Sequence, residues 1–269
     1  MLMTHEQKIA KKWYLALGFP KSMDEAFAAA LETTQISPDM TAEAYESDGE
    51  NGAKNLVYFL YFCERLAGQY RKKGMDDAVL LDTLHDLVVW TEIWSRKMGR
   101  LYLGEINWLK RHLGMRLFKL GRLQFCMASS EFAIEEKGLR QGDTVVEVHI
   151  PEGEPLSTEA CLASFSRARE FFARYYPDFS YGLFTCHSWL LDTSLRELLP
   201  ENSNILRFAS LFKIVRQDTS DALLGYLFEW GASREDLEKH IPTSSLSCKV
   251  KAAAMAGRAF YESLGYIEK

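Results

Sequence analysis

Apolar residues recur every three to four positions through roughly the first 115 residues, and soon afterwards every second position. The helical period covers Lys8 to Leu17 and Met23 to Leu31, where Asp24 and Glu25 suit a first turn. A polar stretch from Ser37 to Lys54, with Pro38, Gly49 and Gly52, predicts a loop holding at most one short helix. Asn55 to Tyr70 and Asp77 to Met98 are the strongest helical segments and predict an antiparallel pair; Leu80, Leu84, Leu87, Val88 and Trp94 line one face of the second. Gly74 between them suits the left-handed conformation that ends a helix. A last helix is expected from Glu105 to His112, ending at Gly114.

From residue 116 alternation takes over. Leu123, Phe125 and Met127 share one side of a predicted half-buried strand, with Arg122 and Gln124 on the other. The turn Gln141-Gly142-Asp143 launches Thr144 to Ile150, a strand stopped by Pro151. Ser157 is a good N-cap for a helix from Thr158 to Tyr176 with Leu162, Phe165 and Phe172 on a stripe, and Pro177 closes it. Leu183 to Trp189 reads as a strand, Thr193 to Leu199 as a short helix capped by Asp192, and Ser203 as the cap of another. Strands are expected at Leu211 to Arg216 and Leu223 to Trp230, then helices at Arg234 to His240 and Leu246 to Met255. The pattern predicts a mixed α+β chain with a helical domain over 1–115 and a sheet-containing domain over 116–269.

Composition narrows what such a chain does. With 269 residues and 47% hydrophobic content it can bury one large core or two modest ones. Lys and Arg total 32 against 37 Asp and Glu, so no basic excess exists to grip a phosphate backbone, and no nucleic acid is expected as partner. Cys63, Cys126, Cys161, Cys186 and Cys248 form no C-x-x-C pair, which suggests neither a disulfide framework nor a metal site and fits reduced thiols in the cytoplasm. The start of the chain lacks the basic-then-apolar order of a signal peptide. Leu56 to Cys63, the most apolar run, falls far short of the ~20 residues that span a bilayer, so no membrane is expected.

Candidate chemistry gathers on two strands. Alternation puts Val145, Glu147 and His149 on one face of Thr144 to Ile150, with the two ionisable groups about 7 Å apart by strand rise. That spacing lets one orient the other, or both reach a shared water, as general-base work requires; the bland reading is a polar outer face. Cys186 beside His187 suggests a nucleophile, but strand neighbours point to opposite faces, so the two cannot pair. Cys186 meets His149 only if register allows, and a buried, inert cysteine is the commoner outcome. Cys186, Ser188 and Trp189 are candidate pocket residues, with core packing the competing account of Trp189.

Four segments carry a resemblance: Val148-His-Ile-Pro-Glu-Gly153, Phe171-Phe172, Phe184-Thr-Cys-His-Ser-Trp-Leu-Leu191 and Ser203-Asn-Ile-Leu-Arg-Phe208. They resemble the C-terminal domain of a group of bacterial acyltransferases, a divergent branch of the GNAT fold preceded by a helical N-terminal domain. The resemblance implies a mixed, mostly antiparallel sheet flanked by helices, and transfer of an acyl group to a small-molecule acceptor. It implies acyl-coenzyme A as a donor lying where two central strands splay, with Glu147 as the base and His149 as its partner or substitute. One departure stands out: where a typical GNAT has a glycine-rich pyrophosphate loop, this chain has Pro151-Glu-Gly-Glu-Pro-Leu-Ser157, whose Glu152 and Glu154 repel phosphate. The alternative is therefore a non-catalytic GNAT-like module that holds a ligand or partner in the same cleft. Oligomeric state is not legible in the sequence.

Overall fold

The computed structural model describes residues 3–41 and 51–269, which divide into two compact units meeting between Leu120 and Gly121. The first unit is helical: α1 (His5–Leu17), α2 (Asp24–Thr33), α3 (Gly52–Lys73), α4 (Asp77–Met98) and α5 (Ile106–Leu113), followed by strand β1 (Leu117–Leu120). A capping box joins Thr4 and Gln7 at the start of α1, and the Gln7 amide donates at 2.7 Å to the Leu31 carbonyl, tying α1 to α2. The expected loop from Ser37 to Lys54 ends sooner than the sequence suggests, because Gly52 already opens α3; its positions 42–50 lie outside the described residues. One face of α3 supplies a dry core through Leu56, Phe59, Leu60, Cys63, Leu66 and Tyr70, and each such side chain contributes about 1.5–3 kcal/mol by leaving water. Gly74 adopts φ 68° at the end of α3, the left-handed cap expected there.

The second unit carries β2 (Leu123–Ser129), β3 (Thr144–His149), α6 (Thr158–Tyr175), β4 (Leu183–Ser188), α7 (Asn204–Ala209), β5 (Lys213–Thr219), α8 (Ala222–Leu227), α9 (Ser245–Met255) and β6 (Tyr261–Glu268). Within this unit the strand order is β2-β3-β4-β6-β5. Neighbours run antiparallel at β2/β3, β4/β6 and β5/β6, while β3 and β4 are parallel. This is the mixed, mostly antiparallel sheet flanked by helices that the sequence predicted.

The face of the sheet toward α6 is a packed aromatic layer in which Phe125, Phe165, Phe184 and Phe212 meet edge-to-face at centroid distances of 5.3 to 6.0 Å. Ser164 of α6 fastens this layer to the start of β2, accepting from the Arg122 amide at 2.8 Å and the Leu123 amide at 3.3 Å. The approach is so close that a Cβ on Gly121, already at φ +84°, would stand 2.9 Å from the Ser164 hydroxyl.

Several expectations need correction. Leu162 is 53% exposed, so the buried stripe of α6 runs instead through Cys161, Phe165, Ala168 and Phe172. Arg122 and Gln124 are not an outer polar face: they are 7% and 2% exposed. The expected strand Leu223 to Trp230 is instead helix α8 up to Leu227 followed by a turn, with Leu223 and Leu224 buried against Leu237, Val250 and Phe260. The strand that does complete the sheet is β6, which inserts between β4 and β5. Arg234 to His240 shrinks to a single 3-10 turn, Leu237–Lys239.

Candidate functional site

At the centre of the sheet β3 and β4 run parallel, with Val146 opposite Phe184 and Glu147 opposite Thr185. The antiparallel ladders on either side run through six partner pairs each, Ser129↔Thr144 to Gln124↔His149 and Leu183↔Glu268 to Ser188↔Ser263. The parallel register of β3 with β4 is therefore much shorter than the ladders that flank it on either side.

Glu147 and His149 share a face, as alternation requires, and the His149 Nε2 stands 3.3 Å from a Glu147 carboxylate oxygen. Their side chains are 23% and 31% exposed, enough for solvent or a ligand to reach both. Cross-strand partners put Thr185 of β4 and Cys126 of β2 on the same face as Glu147, and Gln124 on that of His149. The Gln124 amide nitrogen is buried with no hydrogen-bond partner, although it belongs to the half of the strand the sequence reads as solvent-facing.

Cys186 lies elsewhere. Its strand position is out of step with Thr185, so it shares the face of Val146 and Phe184 and turns away from His149. The register that a cysteine–histidine pair would need is not the one formed. The thiol is 1% exposed, and burial, reinforced by the Glu147 charge, pushes it far above the usual thiol range. Ser188 ends β4 and accepts from the Leu190 amide at 3.2 Å, which makes it the cap of the 3-10 turn Trp189–Leu191. Trp189 is half-buried in that turn, with its ring centroid 6.0 Å from Tyr226 of α8, itself 5.1 Å from Trp230. The five residues marked out by the sequence therefore divide into a polar pair on one face, a sealed thiol on the other, and a cap and an aromatic at the end of β4.

The segment joining β3 to α6 begins at Pro151 and ends at Ser157, whose hydroxyl accepts from the Ala160 amide at 3.2 Å. Glu152 and Glu154 are exposed. Beneath them the Arg122 guanidinium donates to the carbonyls of Pro151 at 2.9 Å and Pro155 at 3.3 Å. Burial draws this guanidinium below its usual pKa, while the Cys161 and Glu154 side chains act in the opposite sense. Nothing in a single sequence marks Arg122, because its partners are backbone carbonyls about thirty positions away. Among the described residues no group of three or more His, Cys, Asp or Glu is disposed to hold a metal ion, and no helix is long and apolar enough to cross a membrane.

Residues 117–267 match the family model described as GNAT-like C-terminal domain, and residues 13–115 match the N-acyltransferase N-terminal domain. Solved structures of similar architecture include an acyltransferase in complex with decanoyl-CoA, 26% identical with a TM-score of 0.78 over 96% of this chain and 87% of that one. A tryptophan-to-alanine acyltransferase mutant in complex with octanoyl-CoA is 25% identical, with a TM-score of 0.79 over 97% of this chain and 88% of the other. An acyltransferase in complex with decanoyl-CoA and teicoplanin shares the fold at 24% identity and a TM-score of 0.80, over 96% and 87% of the two chains. No match was found among curated proteins.

Proposed function

The chain belongs to the family of the GNAT-like C-terminal domain and carries an N-acyltransferase N-terminal domain ahead of it; from that premise we propose that it transfers an acyl group from an acyl-coenzyme A to the amine of a small-molecule acceptor. The observation that carries this reading is the short parallel β3/β4 pair, in register at Val146/Phe184 and Glu147/Thr185, with a carboxylate and an imidazole together on one face of β3. An extended thioester arm would lie along these strands where their short parallel register ends, much as a sheet edge accepts an added strand. The acyl-CoA complexes of the similar acyltransferases support the choice of donor.

In the proposed reaction the acceptor nitrogen attacks the thioester carbonyl. The new C–N bond forms as the C–S bond breaks, and coenzyme A leaves as the thiolate. Glu147 takes the proton that the amine must lose, directly or through one water, and His149 at 3.3 Å orients the carboxylate or relays the proton outward. Cys186 has no part, being sealed on the opposite face. Trp189, with Ser188 capping its turn, forms an apolar wall at the end of β4. The proposed domains are 1–115 and 116–269, acting in the cytoplasm on a small molecule rather than on nucleic acid. The rival reading, a ligand-holding module without turnover, draws on Glu152 and Glu154 in the loop.

The test is direct. The full chain is titrated with octanoyl- and decanoyl-CoA in a calorimeter, then incubated with either donor and a panel of amines while free thiol is recorded. Donor binding together with amine-dependent thiol release is the expected result. Binding without release under any amine would favour the ligand-holding rival, and absence of binding would remove the acyl-CoA reading altogether.

A further inference from the structure

The loop between β3 and α6 poses a problem for the function just proposed, since two exposed carboxylates, Glu152 and Glu154, stand where an anionic donor would approach the start of a helix. Each would repel a diphosphate, and the repulsion grows as water is squeezed out. The structure places one cation under that loop. Arg122 enters from the beginning of β2, is 7% exposed, and spends two guanidinium donors on the carbonyls at the loop's two ends.

We infer that Arg122 is a positioning residue for the donor: its guanidinium clamps Pro151 and Pro155 from below, fixes the backbone between them in a shape that can face a diphosphate, and supplies the positive charge that offsets Glu154. This inference rests on the acyl-CoA reading above. Features of the loop and of its anchor support it. The Arg122 fork reaches the two carbonyls through separate nitrogens of one rigid plane, which fixes their spacing more firmly than an ammonium on a flexible stem would. The two anchored residues are both prolines, whose fixed φ stiffens the loop at the points where the guanidinium grips their carbonyls. Gly153, at φ +116°, turns the chain between the anchors in a conformation that L side chains rarely adopt. The coupling of Arg122 to Glu154 appears in its ionisation, where the carboxylate favours the charged guanidinium against the effect of burial.

The experiment compares two donors that differ only beyond the pantetheine arm. Decanoyl-CoA carries the diphosphate; decanoyl-pantetheine ends before it. Both are titrated calorimetrically into the wild-type chain, Arg122→Met and Arg122→Lys, with each variant's fold checked by circular dichroism and thermal melting. The wild type is expected to bind decanoyl-CoA more tightly than decanoyl-pantetheine. Arg122→Met should weaken decanoyl-CoA by about 10- to 100-fold, the worth of hydrogen bonds and charge at one ionised group, while decanoyl-pantetheine changes by less than about twofold. Arg122→Lys should fall between, restoring charge but not the double anchor, and it carries the test if Arg122→Met does not fold. Equal losses for both donors would mean a general packing defect and overturn the inference, as would unchanged affinity for decanoyl-CoA in a folded variant. Equal wild-type affinity for the two donors would overturn it while leaving acyl transfer standing. Binding of neither would sink the acyl-CoA reading itself and this inference with it.

Discussion

Among the described residues, each unit holds one histidine–carboxylate pair within hydrogen-bonding distance; a third pair, His240 with Glu229 in the sheet unit, is looser at 3.9 Å. In the helical unit, His112 Nε2 stands 2.9 Å from an Asp86 oxygen that also accepts from Trp108 Nε1 at 2.8 Å. Those side chains are 0% and 5% exposed for His112 and Asp86, and the second ring nitrogen of His112 is buried without a partner. In the sheet unit, Glu147 and His149 are 3.3 Å apart and 23% and 31% exposed. The residue types match and the distances are close, yet the environments assign them different work. A sealed pair cannot meet a substrate, and its strong local attraction serves to hold α4 and α5 together. The longer, wetter contact leaves both groups able to exchange protons with something that arrives.

The contrast breaks first, if it breaks, at Glu147. Replacing it by glutamine keeps shape and hydrogen bonding but removes the proton acceptor, so turnover should fall by about 10²–10⁴ while the melting temperature stays close to that of the wild type. Steady-state thiol release on the first productive donor and acceptor pair provides the measurement. Intact turnover in Glu147→Gln would move the base elsewhere on the sheet.

Asp86→Ala should do the reverse. Removing one member of a buried pair leaves His112 and the Trp108 N–H without their acceptor, and the expected loss is about 3–5 kcal/mol of stability by denaturant unfolding. Turnover per folded molecule should be unchanged. If activity vanished while stability held, the buried pair would be the chemical one and the assignment of roles would have to be exchanged.

These two pairs were unequally visible in the sequence. Glu147 and His149 lie two residues apart on an alternating strand, so local geometry alone places them together. Asp86 and His112 are brought together by the packing of α4 on α5, a separation of 26 positions that no period encodes. The same limit explains the other misses. Leu223 to Trp230 is a short, dense apolar run, compatible with strand or helix until the buried partners Leu237, Val250 and Phe260 decide for helix. β6 is not legible in the sequence because Gly265 interrupts its pattern; a Cβ at that position would come within 2.9 Å of the Phe212 Cβ. Arg122 and Gln124 alternate as an outer face should, and only tertiary structure covers them. The long helices, their Gly74 stop and the Ser157 and Ser203 caps were legible because each is decided within a few residues.

A smaller effect separates the members of the accessible pair. His149→Gln leaves the carboxylate in place and removes the group that orients it or carries its proton outward, so a loss of about tenfold in turnover is expected, below the usual full contribution of a general base. The KM for the donor should hardly move, since the substitution is conservative in size and lies on the strand rather than in the loop. A loss as large as that of Glu147→Gln would make His149 the proton acceptor, with Glu147 as its orienting partner.

The smallest effect is expected at Cys186, which extends the contrast to a third ionisable side chain. Like His112 it is sealed, at 1% exposure, and burial holds its thiol protonated well above the usual range. It shares the face of Val146 and Phe184, so the strand backbone separates it from the Glu147 and His149 side. Cys186→Ala removes one sulfur from a packed layer and should cost about 1 kcal/mol of stability, as small core truncations do. Turnover should stay within about twofold of wild type, because a neutral thiol with no access to solvent is not a nucleophile. Rapid alkylation of Cys186 in the native protein, or loss of turnover in a folded Cys186→Ala variant, would show that the layer opens during the reaction, and burial would then no longer separate the structural groups of this chain from its reactive ones.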